Sequence, residues 1–290
     1  MQRKVNMFMK QSIFRSLFLF IFGILLSIDS STFAQDLNQT DKGGFYFYWG
    51  YNRSAYTKSD LRLVGRGYDF TMKDMTASDN PEKLSAQYLN IKKITIPQFN
   101  LRLGYFFKDK WALTLGYDHM KYLMDHPQQF ALDGYIEPGI SDLWSGNYNN
   151  QLVTSDYEHI HYENSDGLNY IRAELARYFD LLAVGDNNWF RVRAQAAVAA
   201  GAILSYNDLN FNGQFDRRTI SVSGYGLSLH PGLRLEFFNH IFLQTNFSAG
   251  FIHQVKVRTR PEHKGSYGKQ HFGYIASDLV LGYTWRFNKK

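Results

Sequence analysis

The chain has no cysteine among its 290 residues. Disulfides, thiolate metal sites and a lipid-modified N-terminal cysteine are all excluded, so the fold holds without covalent staples. Beyond residue 28 there is no long apolar run, and the mean hydropathy is negative. A helical membrane protein needs stretches of ~20 apolar residues, so that class is set aside. A membrane β-barrel is not, because only alternate residues of its strands meet lipid. No internal repeat or low-complexity segment marks a second domain. One long stretch, residues 123–166, lacks Lys and Arg altogether while carrying eight acids: Asp125, Asp133, Glu137, Asp142, Asp156, Glu158, Glu163 and Asp166.

What is present begins with a processing segment, residues 1–34. Arg3, Lys4, Lys10 and Arg15 form a basic n-region, Ser16 to Ile28 an apolar h-region, and Thr32-Phe33-Ala34 a small-x-small cleavage site. The expectation is a signal peptide removed after Ala34, because the apolar run is too short to anchor a helix in a bilayer. Four basic residues and one acid leave with it, so the formal charge falls from +6 to +3. The basic character thus belongs partly to a discarded segment, and no nucleic-acid partner is expected.

The C-terminal stretch Ser277 to Phe287 alternates with a period of two. Leu279, Leu281, Tyr283, Trp285 and Phe287 fall on one face, and Asp278, Gly282, Thr284 and Arg286 on the other. An apolar face ending in stacked aromatics is the composition expected where a membrane meets water. This ending resembles the closing strand of Gram-negative outer-membrane β-barrels. The 17% aromatic content suits the two aromatic girdles of such a barrel.

The same alternation recurs along the chain. Strands are expected at 43–53, 94–107, 111–118, 167–179, 189–198, 225–237, 241–251 and 277–287. The first has aromatics on both faces, Phe45, Phe47, Trp49 and Tyr51 against Tyr46 and Tyr48, and its orientation stays open. The Ala-rich run 194–202 is read as strand because Arg191, Arg193 and Gln195 alternate strictly with apolar residues. Pro231 removes a ladder hydrogen bond, so a bulge or kink is expected there. The fold class is all-β: a transmembrane antiparallel up-and-down barrel of eight strands, or ten if a long loop adds a hairpin to the wall. Residues 35–290 form its single domain, with long extracellular loops near 56–93, 123–166, 205–219 and 256–269. Within the first loop, Leu61 to Met72 reads as a ribbon that extends the wall above the membrane. An even strand number with three short turns places both mature termini in the periplasm.

The inward faces carry Arg102, Asp118, Arg172, Glu174, Arg191, Arg193, His230, Arg234, Glu236, Asp278 and Arg286. An eight-stranded barrel is only wide enough for side chains to fill it, and buried charges must be paired. A polar network that plugs the lumen is the weightier reading, and a narrow pathway of exchanging ion pairs the other. His230 beside carboxylates has the makings of a general base, yet its depth fits the plug better. Asp208, Asn210, Asn212, Gly213 and Asp216 match the start of a D-x-[DN]-x-[DN]-G calcium loop. Position twelve is Thr219 rather than Glu, and no helices flank it, so a hairpin tip turned by Asn212-Gly213 is favoured over a Ca2+ site. No other cofactor is called for. His159, His161 and Glu163 share a strand face, a pattern that suits a transition metal but more simply a solvated strand edge.

The plan resembles the small OmpA-, OmpX- and OmpW-type barrels across the mature chain, without a motif that selects one. The resemblance implies a monomer in the outer membrane of a Gram-negative bacterium, contacting lipid and lipopolysaccharide, and barrel assembly machinery engaging the C-terminal strand. It implies a structural or surface-interaction role through the extracellular loops first, with no ligand named by the sequence. A narrow channel for small or hydrophobic solutes comes second. Modification of lipid A or phospholipid comes third, and the His-Ser-Asn type of motif of lipid A deacylases is missing.

Overall fold

A strand whose apolar face is exposed to lipid must satisfy every backbone group through its neighbours, so the wall has to close. The computed structural model describes residues 40–83, 97–185 and 189–287. The expected signal peptide, the start of the second expected strand and most of the turn at 185–188 lie outside the described residues. Thirteen strands belong to one antiparallel sheet: β1 (Phe45–Tyr56), β2 (Ser59–Gly65), β3 (Tyr68–Met75), β4 (Ala77–Ser78), β5 (Phe99–Lys108), β6 (Trp111–Met124), β7 (Gln129–Ile136), β8 (Gly146–Thr154), β9 (Ile160–Val184), β10 (Phe190–Phe211), β11 (Gln214–Phe237), β12 (Ile241–Arg258) and β13 (Tyr267–Trp285). Eight of them, β1, β5, β6, β9, β10, β11, β12 and β13, pair in that order, and β13 returns to β1 with Phe45 opposite Trp285 and Tyr56 opposite Tyr274. The ring is closed.

On the outside of the ring the alternate residues are apolar and exposed, as with Leu103, Leu115, Val198, Leu229, Leu279 and Leu281. From Trp285 to Ile275 the outward row of β13 runs ten residues, roughly 33 Å at ~3.3 Å each. At a strand tilt of about 40° this gives a belt about 25 Å tall, the height of a barrel's lipid-facing band. Exposed aromatics gather at the end bearing the short turns: Phe107, Trp189, Phe238, Trp285 and Phe287. The open question about β1 resolves with Tyr46 and Tyr48 buried inside and Phe45 exposed.

Several sequence expectations change at the other end. The stretch 56–93 contains β2, β3 and β4, and 123–166 contains β7, β8 and the start of β9, which reaches back from Gly167 to Ile160. The 205–219 loop is the upper part of the β10–β11 hairpin, and the last loop shrinks to 259–266. The reason is a second core. β2 pairs with the upper part of β13, β3 with β2, β7 with β3 and β8 with β7. Their inner faces bury Leu61, Leu63, Phe70, Met72, Phe130, Leu132 and Ile136 against Tyr122, Ile160, Tyr162, Leu209, Phe211 and Phe272. Each such side chain contributes about 1.5–3 kcal/mol when buried, which stabilises strands that lipid does not support. Their outer faces are polar enough to resemble loop.

Register shifts mark the boundary between the two levels. They fall at Met120/Tyr122, Ser205/Asp208, Ile203/Leu204 and Gln254/Val257, where bulges let the wall bend and re-aim its side chains. Pro231 is different. The β11–β12 ladder pairs Leu229 with Ala249 and Gly232 with Asn246 in one register, and lapses only at the proline. The missing N–H costs pairing locally and does not insert a residue, so the expected bulge is not formed.

Candidate functional site

The candidate site is the interior of the ring, where three layers of side chains meet across the lumen. At the turn end, Asp41 sits just before β1 and points back into the ring. Its carboxylate accepts from Arg193 Nη1 at 3.2 Å and from Arg286 Nη2 at 3.1 Å. Arg286 also pairs with Glu236 at 2.6 Å, and Arg191 pairs with the same carboxylate. Arg193 Nε lies 2.7 Å from Asp180, off the hydrogen-bond axis, so that contact is ionic only. Three guanidiniums thus face three carboxylates, and all are nearly free of solvent. Burial pushes the Asp41 carboxyl up, but Arg193, Arg286 and Arg191 outweigh it and hold its pKa down at about 2.

Above this layer lie rings. Tyr46, Tyr178 and Phe242 surround Arg234, whose guanidinium carbon stands 3.7 Å from the Phe242 centroid, 4.6 Å from Tyr178 and 4.9 Å from Tyr46. Its Nε donates to Gln244 at 2.6 Å and its Nη2 to Tyr178 Oη at 2.8 Å. Among the described residues no carboxylate is within ion-pair reach of Arg234, so aromatic faces and neutral oxygens take the place of a counter-charge. Glycine makes room for this layer: a Cβ on Gly104 would lie 2.0 Å from the Tyr46 ring.

The third layer is again ionic. Arg102 pairs with Asp118 at 2.6 Å and with Glu174; Arg172 pairs with Asp118 at 2.7 Å and Glu174 at 2.8 Å. Asp278 is held differently. It accepts from Asn246 Nδ2 at 2.7 Å and backbone N–H at 3.1 Å, and from Asn100 Nδ2 at 3.3 Å. His230 bonds through Nε2 to Ser228 Oγ and through Nδ1 to Ser248 Oγ, both at 2.7 Å. A serine next to a histidine suggests nucleophilic chemistry, but both residues are buried, and Nδ1 meets a hydroxyl rather than an orienting carboxylate. The geometry is that of a satisfied interior histidine.

The expected interior residues therefore sort into two ion clusters, with Arg234 and Asp278 held by neutral partners and His230 by two serine hydroxyls and, at 3.4 Å, Arg172. Asp41, Asp180, Tyr46 and Tyr178 were not among them. Asp41 precedes the first strand and belongs to no alternating pattern. Gln244, by contrast, sits on an inward row legible in the sequence.

The calcium-like residues are used otherwise. Asn212 and Gly213 have φ of 51° and 76°, a tight two-residue hairpin turn. Asp208 and Asn210 are alternate residues of β10, and both already have partners in neighbouring segments. Asp208 accepts the Arg218 N–H at 2.6 Å, Asn210 donates to Tyr157 O at 2.8 Å, Asn212 donates to Ile140 O at 2.9 Å, and Asp216 pairs with Arg260. They tie neighbouring hairpins together. His159 turns to Asp156, at 2.7 Å, instead of sharing a face with His161 and Glu163. His161 links Glu163, at 3.0 Å, to His126, at 2.9 Å. Among the described residues no three His, Asp or Glu side chains are grouped to hold a metal ion.

No family model matches the sequence, and no curated protein matches it. Among solved structures the chain is similar to the outer membrane protein OprG from Pseudomonas aeruginosa, with 12% identity over 85% of this chain and 97% of that one and a TM-score of 0.38. It is similar to the outer membrane protein AlkL in DMPC lipid bilayers, with 12% identity over 91% and 99% and a TM-score of 0.39. It is also similar to Ail, the attachment invasion locus protein of Yersinia pestis, with 12% identity over 84% and 99% and a TM-score of 0.31. Likeness at this level assigns no activity.

Two outcomes follow from the ion clusters. Arg102→Met leaves a buried carboxylate in excess and costs about 3–5 kcal/mol in urea unfolding, whereas adding Glu174→Leu restores charge balance and recovers most of the loss. Simple additivity of the two substitutions would show that they are not coupled. For Asp41 the folded pKa lies below the unfolded value, so its stabilisation is present above about pH 4 and is lost as pH falls through about 2. Over that window the wild type loses about 2 kcal/mol relative to Asp41→Asn. Parallel unfolding midpoints for the two proteins across the window would remove Asp41 as the titrating group.

Proposed function

We propose that the protein is an integral outer-membrane barrel of eight spanning strands, with a structural or surface-interaction role carried by the sheet at its loop end. In this reading residues 1–34 are removed, the turn end is periplasmic and the loop end extracellular. The observation that carries it is contact across the lumen at successive heights. Asp41, just before β1, meets Arg193 of β10, four strands away round the ring. Tyr46 of β1 meets Tyr178 of β9 and Arg234 of β11. Higher up, Tyr122 of β6 bonds Gln270 of β13 at 3.1 Å, and Asn164 of β9 accepts from Gln254 of β12 at 2.7 Å. A lumen bridged in this way favours a plug over a passage.

With the lumen occupied, the surface available for work is the outside of the loop-end sheet. β8 is its outermost strand, and Leu152 is 70% exposed there, next to exposed Asn149, Asn150 and Gln151. Six of the eight acids of 123–166 lie in and around β7 and β8, with Glu163 and Asp166 on β9, which suits a cationic or divalent-bridged partner. The channel reading would require the bridging pairs to part, and the lipid-modifying reading would require an accessible His230.

In planar bilayers the purified barrel is expected to be silent across a range of voltages, and sustained ohmic openings would replace the plug with a pathway. Orientation has a clean test because the chain lacks cysteine. Leu152→Cys should react with a membrane-impermeant maleimide on intact cells, and Lys108→Cys only after the outer membrane is broken. The reverse pattern would invert the topology.

A further inference from the structure

The outward row of β13 does not end where its apolar part ends. Going up from Trp285 it passes Leu281, Leu279 and Ile275, then Gly273, and continues on the same face to His271 and Lys269, all but Gly273 exposed. His271 lies directly opposite His253 of β12, with ring centroids 6.0 Å apart, and Lys269 lies opposite Arg62 of β2. Lys256 stands beside them, its Nζ 5.4 Å from the Tyr267 ring. Four residues separate Ile275 from His271, so the imidazole sits about 10 Å above the top of the apolar belt on a strand tilted by about 40°. That is headgroup depth.

The charge balance of this sector is unusual within the chain. Residues 253–271 hold Lys256, Arg258, Arg260, Lys264 and Lys269 with His253, His263 and His271, against the single acid Glu262. Elsewhere at the loop end many basic side chains have a carboxylate, as Arg62 with Asp69, Lys73 with Asp133, Lys121 with Glu82 and Arg218 with Asp166, and within the sector Arg260 has Asp216. Among the described residues Lys256 and Lys269 have none. An open hollow of about 330 Å³ adjoins His271, lined also by Phe251, Phe272, Lys58, Asp60 and Asp74. Lys256 and Lys269 are not among its lining residues.

Resting on the outer-membrane reading above, we infer that His253, Lys256, Lys269 and His271 form a binding site for the phosphate groups of outer-leaflet lipid. The apolar row beneath seats acyl chains, and the unpaired cations meet the phosphates where those chains end. Continuity of one strand face from apolar to basic distinguishes this from a site for a soluble anion, which has no use for the belt below. Exposed ammonium groups keep their charge free for a ligand that arrives with the membrane. The flanking rings of Tyr225, Phe251 and Tyr267 add contact area at the interface.

The test uses the full mature chain in detergent, with bis-phosphorylated lipid A and its fully dephosphorylated form as probes and co-purifying lipid read by native mass spectrometry. The wild type should retain the bis-phosphorylated form at least tenfold over the dephosphorylated one. Lys256→Gln/Lys269→Gln/His271→Gln should lose that preference while unfolding at the wild-type temperature. A second variant, Lys269→Arg, keeps the charge and should keep the preference. Equal retention of the two lipids, or a triple variant that still discriminates, would overturn the site. So would full displacement by millimolar inorganic phosphate, which would mark a soluble-anion site. If the wild type does not insert into vesicles at all, the membrane reading falls with it; insertion without discrimination defeats the lipid site alone.

Discussion

Closure of the β1–β13 seam is the constraint on which the other features depend. Closing eight strands removes the edges but also encloses a column too narrow for bulk water and lined by every second residue. Those residues must satisfy one another. The chain does so in alternate ways: ion clusters around Asp41 and around Arg102 and Glu174, with aromatic rings around Arg234 between them. In the two ion clusters the guanidiniums reach carboxylates on other strands, so the pairs act as struts between walls. Their net contribution to stability is offset by desolvation, and their more secure effect is to fix which strands face each other.

The loop end obeys a different rule. Its strands meet water on the outside, so their apolar residues turn inward and form an oily core of the kind found in soluble β-proteins. Below the bulges the same wall is apolar outside and polar inside. The two halves are inversions of each other along continuous strands, and the shifts near Met120, Asn207 and Gln254 are where one solvent is exchanged for the other.

This inversion also explains what was legible in the sequence. The ring strands could be read because lipid demands an unbroken apolar row. Once Leu279, Leu281 and Trp285 were assigned outward, Asp278 and Arg286 had to point in. β2 and β3 fall in the ribbon expected at Leu61 to Met72, but β7 was hidden because Asp133 occupies its outer face and a short charged strand looks like loop. The strand at 146–154 was hidden for another reason: its run of Asn and Gln has no periodicity at all. Asp41 was invisible because it acts from outside any strand. The calcium-like motif stayed the weaker reading, and its residues belong to the β10–β11 hairpin. The sequence did contain the alternative, in Asn212-Gly213.

One consequence of the seam concerns the order of events in the chain's life. β13 is hydrogen-bonded to β1 along the lower part of its length and to β2 along the upper part, at Tyr267 to Lys269. A single strand therefore fastens both the belt and the sheet above it. Until it is in place, β1 and β2 are open edges and neither core is sealed. Export and synthesis must have delivered this strand before any part of the molecule can be watertight, so there is no half-length version of the protein that is half finished.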